Sequence, residues 1–191
     1  PACISCAIPT SFLTIQPGER ILIDDGKIGG VIRSVTAGKI VAEITQAREG
    51  GEKLLANKSI SLPDSRLEPD GLTPQDIEHL EFIAQHADMV ALSSTGKSAD
   101  IRLLQKHLKQ LKAEKLGIVL KIGTLATFKH LPELLFTLLQ SSNVGVMIAR
   151  DYLAMECGYE RLAGLQEEIL RLTKGARLPV IWENQIMEGL S

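Results

Sequence analysis

The chain has little of three things, and each shortage removes a class of answer. Net charge is nearly absent, at -2 from 21 Lys+Arg against 23 Asp+Glu over 191 residues. The basic residues are scattered, so the massed positive surface of a nucleic-acid binder is missing and no nucleic-acid partner is expected. Long apolar runs are also missing. Nothing approaches the roughly eighteen residues of a membrane span, and no basic segment precedes an apolar signal core, so a cytoplasmic protein with no membrane partner is expected. Cysteine is scarce, with three in the chain. Cys3 and Cys6 form a C-x-x-C pair and Cys157 stands apart. Zinc wants four ligands, and a redox pair should open a helix after a strand, so plain reduced thiols are expected. What is present, 45% hydrophobic residues, suits a globular chain of one or two domains.

The first part reads as short strands. "RILIDDGKIGGVIRSV" carries two β-branched runs around the turn at Asp24-Asp25-Gly26, and "KIVAEITQA" supplies a third strand after Ala37-Gly38. In "REGGEKLLANKSISLPDSRLEPDGL" the period is lost among Gly, Pro, Asn and Asp, which marks a junction near residues 62 to 72. A small all-β domain over residues 1–66 is expected.

From Thr73 the pattern alternates. "LTPQDIEHLEFIAQHA" is a helix, with Thr73 as N-cap, Pro74 at the first helical position and Ile77, Leu80, Ile83 and Ala84 at helical spacing. There follow "MVALSS" (strand), "SADIRLLQKHLKQLKAE" (helix), "LGIVLKIG" (strand), "TFKHLPELLFTLLQ" (helix), "VGVMIARDY" (strand), "YERLAGLQEEILRLTKG" (helix) and "LPVIWEN" (strand). Four short apolar strands separated by amphipathic helices predict a parallel sheet over residues 67–191. Ligands of such sheets lie beyond the C-terminal strand ends. The segments to watch are 93–98, 121–124, 150–152 and 183–185.

One of them contains Gly96-Lys97-Ser98, which looks like the end of a phosphate-binding loop. A Walker loop needs an earlier glycine for the backbone to curl, and that position is Ala91, inside the apolar strand. The loop is rejected, and Ser98 is expected as a helix cap with Lys97 a solvated charge beside it.

The strand ends, taken with the β domain before them, resemble pyruvate kinase. "ILIDDGKI" is similar to that family's VDDGKI hairpin, and "NKSISLPD" to its KKGVNLPG. "LTPQDIEHLEFIAQHADMVALS" is similar to LTEKDIEDLKFAIEQGVDFIALS, and "VLKIGTLATFKHLPELL" to AKIENQEGVDNLDEIL. "VGVMIARDYLAMECGYERL" resembles DGIMVARGDLGVEIPLEEV, and "LPVIWENQIMEGL" resembles KPVIVATQMLESM. The shared order and spacing imply an α/β chain, a partial TIM (β/α) barrel of four parallel βα units preceded by a small lid domain.

The resemblance further implies phosphoryl transfer between phosphoenolpyruvate and ADP, with pyruvate and ATP as products and Mg²⁺ and K⁺ as cofactors. Cations must neutralise the moving phosphoryl group and carboxylates must hold the metal. Lys121 matches the catalytic lysine. The family's metal-holding glutamate and aspartate correspond to Gly123 and Tyr152, neither of which is a ligand. Asp151 lies one position before Tyr152 and, without a loop shift, replaces a family glycine that approaches the substrate carboxylate. Asn184 stands at the threonine of the proton relay. Arg150 is retained, for the site or for a structural salt bridge, and Glu156 matches the glutamate of G-V-E-I-P. Lys58 falls where a lysine leans toward nucleotide phosphates, whereas Asp25 and Lys27 are expected to form a turn.

The implied whole is a pyruvate kinase-like protein or fragment with a degenerate Mg²⁺ site and little or no activity as this chain. Two alternatives stand beside it. One is an active kinase whose metal is held by Asp151, Glu156 or Glu183 and whose site further segments complete. The other is a non-catalytic binding or assembly module. The family's remaining barrel strands have no counterpart here, so a homo-oligomer or further segments of a longer chain are expected to cover the sheet edges.

Overall fold

A computed structural model describes residues 3–6, 14–36, 38–65, 71–93 and 96–184. The chain divides into two compact units, Pro1–Glu68 and Pro69–Ser191. The boundary expected between 66 and 67 falls outside the described residues, as do 94, 95 and 185 among the strand-end segments.

In the first unit the β-branched runs form β1 (Arg20–Ile23), β2 (Ile28–Thr36) and β3 (Lys39–Gln46), joined by the short β4 (Ile60–Ser61). They make one antiparallel sheet in the order β3-β2-β1-β4. Alternation along β1 sends Ile21 and Ile23 inward, where they meet Ile15, Ile28, Ile32 and Leu62. The turn between β1 and β2 needs left-handed backbone, and Asp24 and Asp25 supply it with φ of 52° and 55°. Aspartate tolerates that region because its short side chain bonds locally. The Lys27 N–H donates to the Asp24 carbonyl at 3.1 Å and closes the turn, so the expected turn at Asp25 and Lys27 is formed, while Ser59 Oγ, far along the chain, donates to Asp25 Oδ1 at 2.7 Å.

Pairing of β2 with β3 slips at Gly29/Gly30. A Cβ on Gly30 would lie 2.6 Å from the carbonyl oxygen of Glu43, a separation that only a glycine permits.

The second unit begins with α1 (Pro74–His86). Thr73 and Asp76 form a reciprocal cap: the Thr73 hydroxyl accepts from the Asp76 N–H, and the Asp76 carboxylate accepts from the Thr73 N–H at 2.9 Å. Then come β5 (Met89–Leu92), α2 (Ser98–Gln110), β6 (Gly117–Ile122), α3 (Leu125–Lys129), α4 (Leu131–Leu138), β7 (Val144–Ala149), α5 (Arg150–Cys157), α6 (Tyr159–Gly175) and β8 (Val180–Glu183). The four strands are parallel, in the order β5-β6-β7-β8. Leu92, Leu120, Val146 and Val180 stand in one cross-sheet row. Ile118, Leu120, Ile122, Val146 and Ile148 share a buried cluster with helical Ile101, Leu104, Leu134, Leu138 and Ile169.

Three details differ from the expectations. "TFKHLPELLFTLLQ" is two helices, because Pro132 has no N–H to give Phe128 and its ring would clash with that carbonyl. "VGVMIARDY" leaves the strand after Ala149, and Arg150, Asp151 and Tyr152 open α5. Ser98 is not the cap of α2 but its first residue; Lys97 holds the cap position and its side chain does not cap the helix, and Ser98 Oγ donates to Glu133 at 2.7 Å.

Among the described residues no helix is long and apolar enough to cross a membrane.

Candidate active site at the strand ends

Side chains alternate across a strand, so Lys121 points away from the helix-covered face that receives Leu120 and Ile122. It stands in register with Met147, and Met147 with Ile181. Glu183 is two residues past Ile181 and therefore on the same face. The consequence is an ion pair across the sheet: Lys121 Nζ donates to Glu183 Oε1 at 2.7 Å, with the two side chains only 19% and 26% exposed. The second oxygen, Glu183 Oε2, is buried and has no hydrogen-bond partner among the described residues. The Tyr152 ring completes the group, its centroid 5.0 Å from the ammonium, a cation–π distance.

Tyr152 also settles against Gly123. A Cβ on Gly123 would lie 3.4 Å from Cβ of Tyr152 and 3.4 Å from Cβ of Ala149. A Cβ at 123 would thus sit at contact distance from both residues, so Tyr152 and Gly123 lie side by side.

The remaining carboxylates have other work. Asp151 Oδ2 accepts from Asn184 Nδ2 at 2.7 Å, and Asp151 Oδ1 from the Tyr152 N–H at 2.9 Å. Asn184 takes a left-handed φ of 63° just after β8, a conformation that suits asparagine. Glu156 accepts from the Leu125 N–H at 2.6 Å and so satisfies a free donor at the start of α3. Arg150 Nε donates to Gln166 at 2.8 Å, and its guanidinium lies 5.9 Å from the Trp182 ring centroid.

Among the described residues no three of His, Cys, Asp and Glu gather in a way that could hold a metal ion. Asp151, Glu156 and Glu183 are engaged with an amide, a backbone N–H and an ammonium respectively. Mg²⁺ demands near-octahedral oxygen ligands, and these residues do not fit it.

In the first unit Lys58 Nζ lies 3.0 Å from Asp24 Oδ1 while Lys27 Nζ lies 3.2 Å from Asp24 Oδ2. Lys58, with help from Lys27, holds the Asp24 carboxyl below the usual aspartate range. The lysine expected to face nucleotide phosphates is thus drawn to a turn aspartate.

Burial raises the Glu156 carboxyl above its ordinary value of 4.5, against the opposing pull of the Leu125 N–H and Lys129. A raised folded-state pKa adds stability that is full below the ordinary value and is lost as pH rises through the folded one. Glu156→Gln keeps an acceptor for Leu125 without the charge. Thermal melts are expected to show the variant gaining on the parent between pH 4.5 and pH 8; equal slopes in that interval would contradict the assignment.

Sequence reasoning placed Lys121 at the strand end but missed its pairing with Glu183. The alternation of β8 puts Glu183 on the correct face, yet only the strand order shows that Lys121 is within reach.

Comparison with known families gives a match to the description "Pyruvate kinase, barrel domain" over residues 2–191. Similar relatives include pyruvate kinases of Methylorubrum extorquens, 27% identical over 95% of this chain and 36% of the relative, and of Agrobacterium vitis, 31% identical over 94% and 35%. Human "Pyruvate kinase PKLR" is 27% identical over 95% of this chain and 30% of its own length. The chain thus spans about a third of the length of the curated relatives it matches. A family match over nearly every residue, on a chain whose second unit is a parallel βα sheet, makes this chain a member of the pyruvate kinase family.

Proposed function

We propose that this chain is a pyruvate kinase-like segment that has lost phosphotransfer, with Lys121 kept as a structural cation. What supports the proposal is that Gly123 and Tyr152, which the resemblance sets at the positions of the metal-holding carboxylates, lie side by side next to a lysine already paired with Glu183. Transfer from phosphoenolpyruvate to ADP needs Mg²⁺ to spread charge on the moving phosphoryl group. Glycine has no side-chain oxygen, and a phenol is not the carboxylate that usually anchors that ion.

A metal re-routed to Asp151, Glu156 and Glu183 is opposed by the partners those carboxylates already have. The assembly reading has its own support. Among the described residues β5 and β8 each pair on one side only, and Met89, Ile181 and Trp182 are exposed on them. Further strands, from a longer chain or another copy, would cover such edges.

The test is coupled-assay turnover of phosphoenolpyruvate and ADP with Mg²⁺ and K⁺, on the native protein that carries this sequence, together with Mg²⁺ titration calorimetry. Turnover at background and no phosphoenolpyruvate-dependent Mg²⁺ binding are expected. Sustained turnover attributable to Lys121 would overturn the proposal.

A further inference from the structure

We propose that β3 is an association edge, which pairs antiparallel with β3 of a second copy of this chain about a two-fold axis at Val41. Among the described residues β3 pairs on one side only, with β2, and stands at the end of its sheet. It is eight residues long and contains no proline, so it leaves a row of backbone N–H and C=O groups open to a further strand. One slip against β2 puts its extra residue, Arg33, on β2, and the other puts Thr45 on β3, so β3 runs unbroken from Lys39 to Ile44. Apolar Val41 and Ile44 on it are 44% and 52% exposed.

The side chains say which strand fits. Lys39, Val41 and Glu43 are exposed and share one face, because alternate residues of a strand do. Ile40 and Ala42 take the other face and pack on the core of the unit. In an antiparallel pair that sets Val41 opposite itself, position 39 faces 43 and position 40 faces 42. Each Lys39 then stands opposite the partner's Glu43, twice by symmetry, with the two Val41 side chains between them. Ile40 meets the partner's Ala42 and extends the apolar face. Charges that would guard the edge against a like strand are here complementary, and opposite charges directly across a ladder are favourable. Glu43 has an oxygen to offer, since Arg33 Nε donates to its Oε2 at 2.7 Å and leaves Oε1 for the partner's Lys39. A shift by one residue would set Lys39 against Ile44 and turn the partner's core face to the other side of the sheet, so the register is specified.

The arrangement also closes. Once β3 is used, the outer edge of each copy is β4, whose two residues are too few for a ladder, so the product is a dimer and not a fibre. A single pair of short strands buries less than a permanent interface needs, and the dimer is a weak one.

The test follows the mass of the protein that carries this sequence by sedimentation, from about 10 μM to about 1 mM, with the β3 amide resonances read alongside. The mass is expected to rise from monomer toward dimer, with shifts and slowed exchange in the amides of residues 39–44. Lys39→Glu sets like charges opposite each other twice and is expected to weaken association at least about tenfold. Glu43→Lys does the same with the other sign. An equimolar mixture of the two variants restores both attractive pairs and is expected to associate more strongly than either variant alone. Monomer at every concentration, dimerisation that leaves the β3 amides in place or that Lys39→Glu does not weaken, or a mixture no more associated than its components overturns the inference. If melts show that Glu43→Lys does not fold, Lys39→Glu and the amide readout decide. None of these readouts involves phosphotransfer, so the inference and the loss of that activity stand or fall separately.

Discussion

Leu120→Ala is expected to destabilise the second unit by about 2–5 kcal/mol, the range for removing a fully enclosed leucine from a core. Leu120 is 0% exposed, in the middle of β6, and its neighbours in register are Leu92 and Val146. Both lie in the same buried row, so strands on either side hold the backbone and little collapse can refill the space. Lost transfer energy and a residual cavity then add together. The measurement is the urea midpoint of the second unit's transition, with an unchanged m-value showing that stability alone has moved. Loss of hydrogen-exchange protection should concentrate in β6 and β7. A change below about 1 kcal/mol would mean that the sheet repacks freely, contrary to the enclosure described.

Gly30→Ala is expected to destabilise the first unit by about 1–3 kcal/mol, the cost of forcing atoms into a filled space. The upper end is expected because the obstacle is backbone: a new Cβ would meet the Glu43 carbonyl oxygen at 2.6 Å, with Ile21 Cγ2 at 3.3 Å on another side. A side chain could swing away, but the carbonyl belongs to the β2–β3 pairing and can move only with its strand. Exchange protection at the Gly30 to Glu43 end of that ladder should fall first. Gly29→Ala provides a control, since its nearest obstacle is Gln46 Cβ at 3.2 Å, a milder approach than the 2.6 Å at Gly30. A smaller effect is expected there. If Gly29→Ala costs as much as Gly30→Ala, the close approach is not the cause.

Much of this molecule is written in local pattern. The β-branched runs on either side of Asp24-Asp25-Gly26 specify a hairpin, because each strand can bury only alternate residues and the turn accepts only certain backbones. Thr73, Pro74 and Asp76 specify where α1 begins, since a helix start has free N–H groups to satisfy. The split at Pro132 was equally open to reading from sequence, because the missing N–H is local. The departure of Arg150 and Asp151 from the strand was less so. Strand and helix signals overlap in "MIARDYLAM", and the parallel pairing that ends at Ala149 decides the matter.

The site divides along the same line. Its lysine, the glycine and tyrosine beside it in the sequence pattern, and its family resemblance are properties of residues in order along the chain, and sequence by itself determined them. The partners were not. Lys121 and Glu183 are 62 residues apart, and Arg150 meets Gln166 from a different helix. Alternation says which face a side chain takes, but reach depends on which strand lies beside which, and strand order is set by long-range burial. Only the tertiary structure could therefore decide that the lysine's charge is met within the chain, and that Tyr152 fills the space beside Gly123.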